Sequence, residues 1–260
     1  MLDIYLIQMT IVPNDKAKNF AKVLELTESI RKNADDSVKG LIVLPEMFAT
    51  GYLPLHPESA AEDFSSNESG ETAYFLNKLA TETGCAIMGA GIACSDDKLL
   101  NHSSVYLPDT SEEYACYDKR KPFFMEQGKF SAGDSVNLFK LYGWNTASTI
   151  CFDLRFPELY RDAVKAGAKL ITVQAAWPAA RIAHWKALLQ ARAIENQVYM
   201  AAVNCTSQDG TYNGCSMIID PKGEIIAQAK TEGDEVVYAR IESIPQENYR
   251  KQFPVLRDLI

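Results

Sequence analysis

At 260 residues and a formal net charge of −8, the chain is long enough to bury a large core and too acidic to track a phosphate backbone over a broad surface. Its 47% apolar and 23% charged residues are a globular composition. With no run of eighteen apolar residues to span a bilayer, nucleic acid and membrane are both excluded as expected partners, while a local basic pocket for an anionic small molecule stays open.

The first residues, MLDIYLIQMT, have no basic segment ahead of an apolar one, so a cytoplasmic protein is expected. Cys85, Cys94, Cys116, Cys151, Cys205 and Cys215 form no CxxC pair and no zinc-type spacing with histidine. Neither a metal site nor a disulfide framework is expected, and small buried thiols are the default. No low-complexity stretch, charge run or linker interrupts the chain, which is read as one domain over residues 1–260.

In chain order, a strand is expected around Ile4–Ile11, then a helix over Lys16–Asn33 with Phe20, Val23, Leu24 and Ile30 at helical spacing, then a strand at Leu41–Leu44. A helix over Thr72–Thr83 carries Phe75, Leu76 and Leu79 on one face and stops near Gly84. CAIMGAGIA, LNHSSVYLP and EYACYDK are strand candidates, the last two joined by a turn in PDTSEE. NLFKLYG and NTASTIC form an expected hairpin through Gly143–Trp144. A helix at Glu158–Ala166, a strand at Leu170–Gln174 and a helix at Ala183–Gln197 follow. VYMAAVN, GCSMIID, GEIIAQA and EVVYARI are strands, with a turn at Pro221-Lys222-Gly223. Strand–helix–strand units beside hairpins imply mixed sheets, and one-sided helices imply a layered α/β sandwich.

Three segments carry residues suited to chemistry. In Leu41-Ile42-Val43-Leu44-Pro45-Glu46, a buried strand ends at a carboxylate, where α/β sheets place functional groups; the alternative is a cap or a structural ion pair. In Thr149-Ile150-Cys151-Phe152-Asp153-Leu154-Arg155-Phe156-Pro157-Glu158, a strand ends at a cysteine and a helix begins near Pro157. Such an elbow projects the sulfur above the sheet, and the neighbouring amide N–H groups are expected to lower its pKa; the alternative is a structural thiol. A thiol of ordinary pKa needs a cation or a base to react at neutral pH, and Lys119 at the end of a strand supplies a cation unless Lys119, Arg120 and Lys121 are merely solvated. The rival Cys–His arrangement has only His56, His102 and His184 to draw on. Gly89-Ala90-Gly91 lacks the third glycine and the acidic partner of a dinucleotide loop, so it is read as a close-packed strand and no cofactor is expected.

LPEMFATGY, YDKRKPFF, ICFDLRFPELYR and AAWPAARIAHWKALLQARAIENQ occur in the order found in the nitrilase superfamily of carbon–nitrogen hydrolases, which the chain resembles from Gln8 to about Arg240. The DLRFPE elbow and the AWPAARIAHW helix most resemble the bacterial omega-amidase branch. That resemblance implies a four-layer α-β-β-α sandwich with two mixed sheets, assembled as a homodimer. It implies Glu46 as general base, Lys119 as catalytic lysine, Cys151 as nucleophile and Glu126 as a second glutamate holding Lys119. The Phe152 N–H would be an oxyanion donor. One departure concerns the pocket wall: Lys121-Pro122-Phe123-Phe124 stands where related amidases commonly carry His-Leu-Phe.

The implied reaction is hydrolysis of a small carboxylate-bearing monoamide, such as 2-oxoglutaramate or 2-oxosuccinamate, through a cysteine thioester. The substrate's free carboxylate calls for a planar cationic fork, and Arg155 is the candidate unless it pairs with Asp153 or Glu158. Trp177 and Tyr52, with Phe48, are expected to line the pocket, ordinary core packing being the alternative for Trp177. The competing functions are an amidase for N-carbamoyl or peptide-like amides and a non-catalytic ligand-binding dimer.

Overall fold

The computed structural model describes all residues except 34–37, 96, 231 and 260. In chain order its regular elements are β1 (Leu2–Gln8), α1 (Lys16–Asn33), β2 (Gly40–Val43), α2 (Glu71–Thr83), β3 (Ala86–Ser95), β4 (Lys98–Tyr106), β5 (Ala115–Asp118) and β6 (Leu138–Leu141). These are followed by β7 (Trp144–Ile150), α3 (Pro157–Lys165), β8 (Leu170–Ala175), α4 (Ile182–Asn196), β9 (Tyr199–Asn204), β10 (Met217–Ile219), β11 (Ile225–Gln228), β12 (Glu235–Ile241) and α5 (Ser243–Gln252). Among the described residues no helix is long and apolar enough to cross a membrane.

The strands form two six-stranded mixed sheets, ordered β12-β1-β2-β3-β4-β5 and β11-β10-β9-β8-β7-β6. In each, three adjacent strands (β1–β3, β7–β9) run parallel and antiparallel strands flank them. The central strands are apolar on both faces, as strands covered on both sides must be. Leu2, Ile4, Leu6, Leu41, Val43 and Met88 of one sheet meet Leu170, Tyr199, Ala201, Val203 and Ile218 of the other. On the opposite face of the first sheet, Ile7, Ile42 and Ile87 pack under Val23 and Ile30 of α1 and Phe75, Leu76 and Leu79 of α2. Ile171, Val173, Met200 and Ala202 likewise pack under Leu159 and Tyr160 of α3 and Trp185 and Leu189 of α4. These three cores between four layers are the expected α-β-β-α sandwich.

The elements depart from expectation in three places. The first strand ends at Gln8 and not Ile11; beyond it Thr10 makes only an isolated bridge to Thr206. The β6–β7 turn is Tyr142–Gly143, because Leu141 pairs with Trp144 and both turn residues take positive φ (47° and 88°), as a tight two-residue hairpin requires. Helix α5, SIPQENYRKQ, went unforeseen because it has no apolar stripe; it docks by hydrogen bonds from Gln246 to the Lys169 and Gln197 carbonyls and from Arg250 to Gln197.

In one sheet β7 and β8 run parallel, in the other β5 runs the same way as β2, and contacts such as Ala176 N to Glu46 Oε2 bring the ends of the two sets together. Glu46, Lys119, Cys151 and Ala176–Trp177 follow these ends, so strand direction and the packing of the two sheets deliver four distant segments to one place.

Gly89-Ala90-Gly91 is close-packed: a Cβ on Gly89 would lie 2.7 Å from Leu76 of α2, and one on Gly91 2.7 Å from Phe64. Gly89→Ala is therefore expected to lower unfolding stability by about 1–3 kcal/mol, the usual cost of overpacking a filled core. Urea unfolding, with the denaturant dependence unchanged, checks it.

Candidate active site

Glu46 lies three residues beyond β2 and is fully buried, as is Glu126; Lys119, immediately after β5, is 1% exposed. Lys119 Nζ donates to Glu46 Oε1 at 2.8 Å and lies 3.0 and 2.9 Å from the two Glu126 carboxylate oxygens. Asn101 Nδ2 bridges the same carboxylates, donating to Glu46 Oε1 at 2.7 Å and to Glu126 Oε1 at 2.9 Å. The remaining oxygens accept main-chain N–H groups, Ala176 N on Glu46 Oε2 at 2.9 Å and Phe123 N on Glu126 Oε2 at 2.6 Å. Burial opposes the Lys119 charge, but Glu46 and Glu126 outweigh it and hold the ammonium protonated above its ordinary range. The alternative of a solvated basic cluster does not apply to Lys119.

Cys151 stands where β7 gives way to a single 3-10 turn, Cys151–Arg155, and its φ of 46° is left-handed, a strained backbone that aims the side chain off the strand end. Asp153, fully buried, fastens this elbow: it accepts Ile150 N at 3.0 Å, Tyr117 OH at 2.8 Å and Lys121 N at 2.9 Å. One carboxylate thus ties the nucleophile turn to the segment carrying Lys119. Burial and the three donors oppose each other, and burial wins, pushing the Asp153 pKa up to about 6.

The thiol corrects one expectation. Its pKa is not lowered; burial first, and then the Glu46 charge, push it well above the ordinary thiol value against the pull of Lys119. The resting site is a neutral thiol hydrogen-bonded to Glu46, beside a Lys119 ammonium and two glutamates. Such a thiol reacts only as its proton is removed, and Glu46 is the group in contact with it.

Above this cluster lies a cavity of about 450 Å³, an ordinary volume for a small-molecule site. Cys151, Phe152, Tyr52, Trp177, Arg155 and Arg181 line it, with Phe123, Phe124 and Tyr212. Tyr52 also faces Lys119, whose Nζ lies 5.8 Å from its ring centroid. Trp177 serves both expected roles, since its ring also packs on Trp185 in the core. Phe48 does not reach the cavity; it is buried against Phe20 and Phe75 beneath α1 and α2. Lys121 turns away too, onto the Phe156 ring at 5.0 Å and Glu158 at 3.8 Å, so Phe123 and Phe124 carry the departure in the pocket wall.

Arg155 forms neither expected ion pair: Asp153 is engaged below the elbow and Glu158 with Lys121. Its guanidinium lies 4.8 Å above Trp177 and donates to His184 Nδ1 at 3.3 Å. Among the described residues no histidine lines the cavity, so no Cys–His pair forms. His56 is exposed beside Glu58, His184 is exposed, and His102 is held between Asp118 Oδ1 at 2.7 Å and Glu113 Oε1 at 2.8 Å. Among the described residues one group could hold a metal: His102, Glu113 and Cys116 have ligand atoms within 4.8 Å of one another. Both ring nitrogens of His102 already face carboxylates.

With this geometry in view, known proteins supply the family. The carbon–nitrogen hydrolase family model matches residues 4–249. This chain belongs to the carbon–nitrogen hydrolase family. The hydrolase is 33% identical over 259 residues to the 2-oxoglutaramate amidase of Bacillus subtilis (strain 168), covering 97% of this chain and 95% of the relative. It is 33% identical over 262 residues to the omega-amidase YafV of Yersinia enterocolitica, covering 99% and 96%. The crystal structure of a CN-hydrolase superfamily protein from Xanthomonas campestris, with an arsenic adduct in its active site, superposes with a TM-score of 0.88 at 29% identity, covering 99% of this chain and 96% of that one.

Sequence reasoning missed Asn101, Asp153 as a fastener, and Arg181. Asn101 had a legible signal, since adjacent Asn-His in a strand must turn one polar side chain inward. The others are visible only once the segments are assembled.

Lys119→Met would leave Glu46 and Glu126 buried without their cation, and a loss of about 3–5 kcal/mol in chemical denaturation is expected. Behind Lys119, burial opposes the His102 charge, but hydrogen bonds to Asp118 and Glu113 prevail and raise its pKa from 6.5 to about 9. A folded-state pKa above the unfolded one gives a contribution that is complete below pH 6.5 and lost as pH rises through about 9. The stability gap between wild type and His102→Gln should therefore narrow over that window when Tm is followed against pH.

Proposed function

We propose that this hydrolase is an omega-amidase, releasing ammonia from small monoamides that keep a free carboxylate at their far end, with 2-oxoglutaramate and 2-oxosuccinamate as the substrate type. The observation that carries the reading is a cavity that opens onto the Cys151 thiol, with the buried Glu46 carboxylate and Lys119 ammonium against that thiol, and whose wall holds an Arg155 guanidinium with no carboxylate partner among the described residues. The thiol suits an amide carbon, and the wall suits an anion. The names of the relatives agree with it.

In this mechanism Glu46 takes the Cys151 proton as sulfur attacks the amide carbon. The carbonyl oxygen becomes an oxyanion between the Lys119 ammonium and the Phe152 N–H, each such donor accounting for about 10²–10³ in rate. The proton held on Glu46 passes to the leaving nitrogen, the C–N bond breaks and ammonia departs, leaving a thioester. Glu46 then deprotonates a water that attacks the thioester carbon, and the acid and the thiol are restored. Glu126 and Asn101 keep Lys119 aimed at the reacting oxygen. Tyr52 and Trp177 flank the substrate chain, and Arg155 takes its carboxylate.

We further propose one catalytic domain spanning residues 1–260, cytoplasmic and homodimeric. The six free cysteines favour a reducing compartment, and exposed Ile194, Ile225 and Ile226 offer apolar surface for a second copy.

Ammonia release across a substrate panel tests the function. The value of kcat/KM for 2-oxoglutaramate should exceed that for N-carbamoyl amino acids at least ten-fold; parity or reversal would refute the choice of substrate. Cys151→Ala, folded by circular dichroism, should release no ammonia, and turnover retained in that variant would reject the nucleophile.

A further inference from the structure

The cavity wall holds a second guanidinium. Arg181, in the short 3-10 turn Ala179–Arg181 ahead of α4, lines the same cavity as Arg155 and lies 6.0 Å above the Phe123 ring. Its main chain is fixed, because Trp177 Nε1 donates to the Arg181 carbonyl at 2.8 Å. Among the described residues neither arginine has a carboxylate within 4.0 Å, although Lys16, Lys22, Lys119, Lys169, Arg192 and Arg240 all do. Both arginines are half-buried, and burial, then the Arg181 charge, lower the pKa of Arg155. Two like charges kept close, partly desolvated and without a counterion await an anion.

The charge layout extends this to a choice among substrates. Beneath Cys151, buried out of the cavity, lie two glutamates against one ammonium, while the cavity wall carries two cations. An amide enters correctly oriented when its distal end is negative. Each guanidinium lies over an aromatic face, Arg155 on Trp177 and Arg181 on Phe123, which holds the cation by its face and leaves edge N–H groups for a ligand. A 2-oxo acid end offers carboxylate and ketone oxygens, all acceptors, to this pair. A 2-amino acid end, as in glutamine or asparagine, brings an ammonium to a doubly cationic wall with no carboxylate among its described lining residues.

We propose that Arg181 is a specificity-determining residue that, with Arg155, forms a two-guanidinium clamp selecting monoamides of 2-oxo or unsubstituted dicarboxylic acids and rejecting the corresponding 2-amino acids. The inference rests on the amidase reading and adds to it a second recognition group and the basis of discrimination.

The test compares wild type with Arg181→Gln and Arg181→Lys, measuring ammonia release from 2-oxoglutaramate, from glutamine and from the neutral butanamide. In Arg181→Gln, kcat/KM for 2-oxoglutaramate should fall about 10- to 100-fold, mostly through KM, the scale of one lost charge-assisted hydrogen bond. Butanamide turnover should stay within about two-fold, because a uniform-binding contact to the distal end is absent from that substrate. The preference for the 2-oxo over the 2-amino substrate should narrow at least ten-fold, and Arg181→Lys should recover part of it. In the Cys151→Ala background, 2-oxoglutarate measured by calorimetry should bind at least ten-fold more weakly once Arg181→Gln is added. Equal losses on all three amides, or unchanged ratios and unchanged 2-oxoglutarate affinity, would overturn the clamp while wild-type ammonia release left the amidase reading standing. Wild-type enzyme inert on all three would overturn both.

Discussion

A lysine ammonium with almost no solvent access sits between two fully buried glutamates, and most of the site follows from that fact. Burying any one of these charges alone would be prohibitive, and their attraction is sufficient only because the remaining donors and acceptors are satisfied as well. Asn101 spans both carboxylates, and the Ala176 and Phe123 amides close the far oxygens. Each of those contacts comes from a different segment, so the cluster forms only when the ends of β2, β5 and β8 and the start of β4 are all in place. Such an arrangement is poorly explained as packing. Apolar groups of equal volume would stabilise the fold as well or better.

The same cluster fixes the chemistry of the neighbouring sulfur. A thiol pushed upward in pKa by burial and by Glu46 is protected from adventitious oxidation and alkylation, since the thiolate is the reactive form. Its activation is tied to an arriving electrophile, because the negative charge leaving sulfur for a carbonyl oxygen arrives where Lys119 already waits. The strained φ at Cys151 and the three hydrogen bonds on Asp153 hold the sulfur and the ammonium in one frame, joining the elbow to Lys121 only two residues from Lys119.

Much of this was legible in the chain. The apolar runs of β1, β2, β8 and β9 and the apolar stripes of α1 and α2 gave the sandwich because burial on both faces leaves little polar alternation to confuse the period. Glu46, Lys119 and Cys151 were candidates because each follows a strand end, where α/β sheets place functional groups; a cap or ion pair, a solvated cluster and a structural thiol stayed open for them, and the order of four motifs gave their roles by resemblance. Helix α5 escaped because hydrogen bonds from Gln246 and Arg250 hold it in place of an apolar face. The direction of the thiol's pKa shift escaped for another reason: elbow amides and a nearby lysine are visible in sequence, whereas full burial beside a carboxylate is a property of assembly. Phe48 and Trp177 show the same limit, two aromatics after strand ends of which one joins the core under α1 and the other both walls the cavity and packs inward.

The central claim is that carbon–nitrogen cleavage passes through a covalent bond to Cys151 sulfur. The most direct measurement is mass spectrometry of enzyme acid-quenched from the first turnover into steady state with 2-oxoglutaramate. A 2-oxoglutaryl thioester increment is expected on the peptide containing Cys151, absent from the other five cysteines and from Cys151→Ala. Ammonia released through that whole interval with Cys151 unmodified, or an acyl group found on another cysteine, would contradict it.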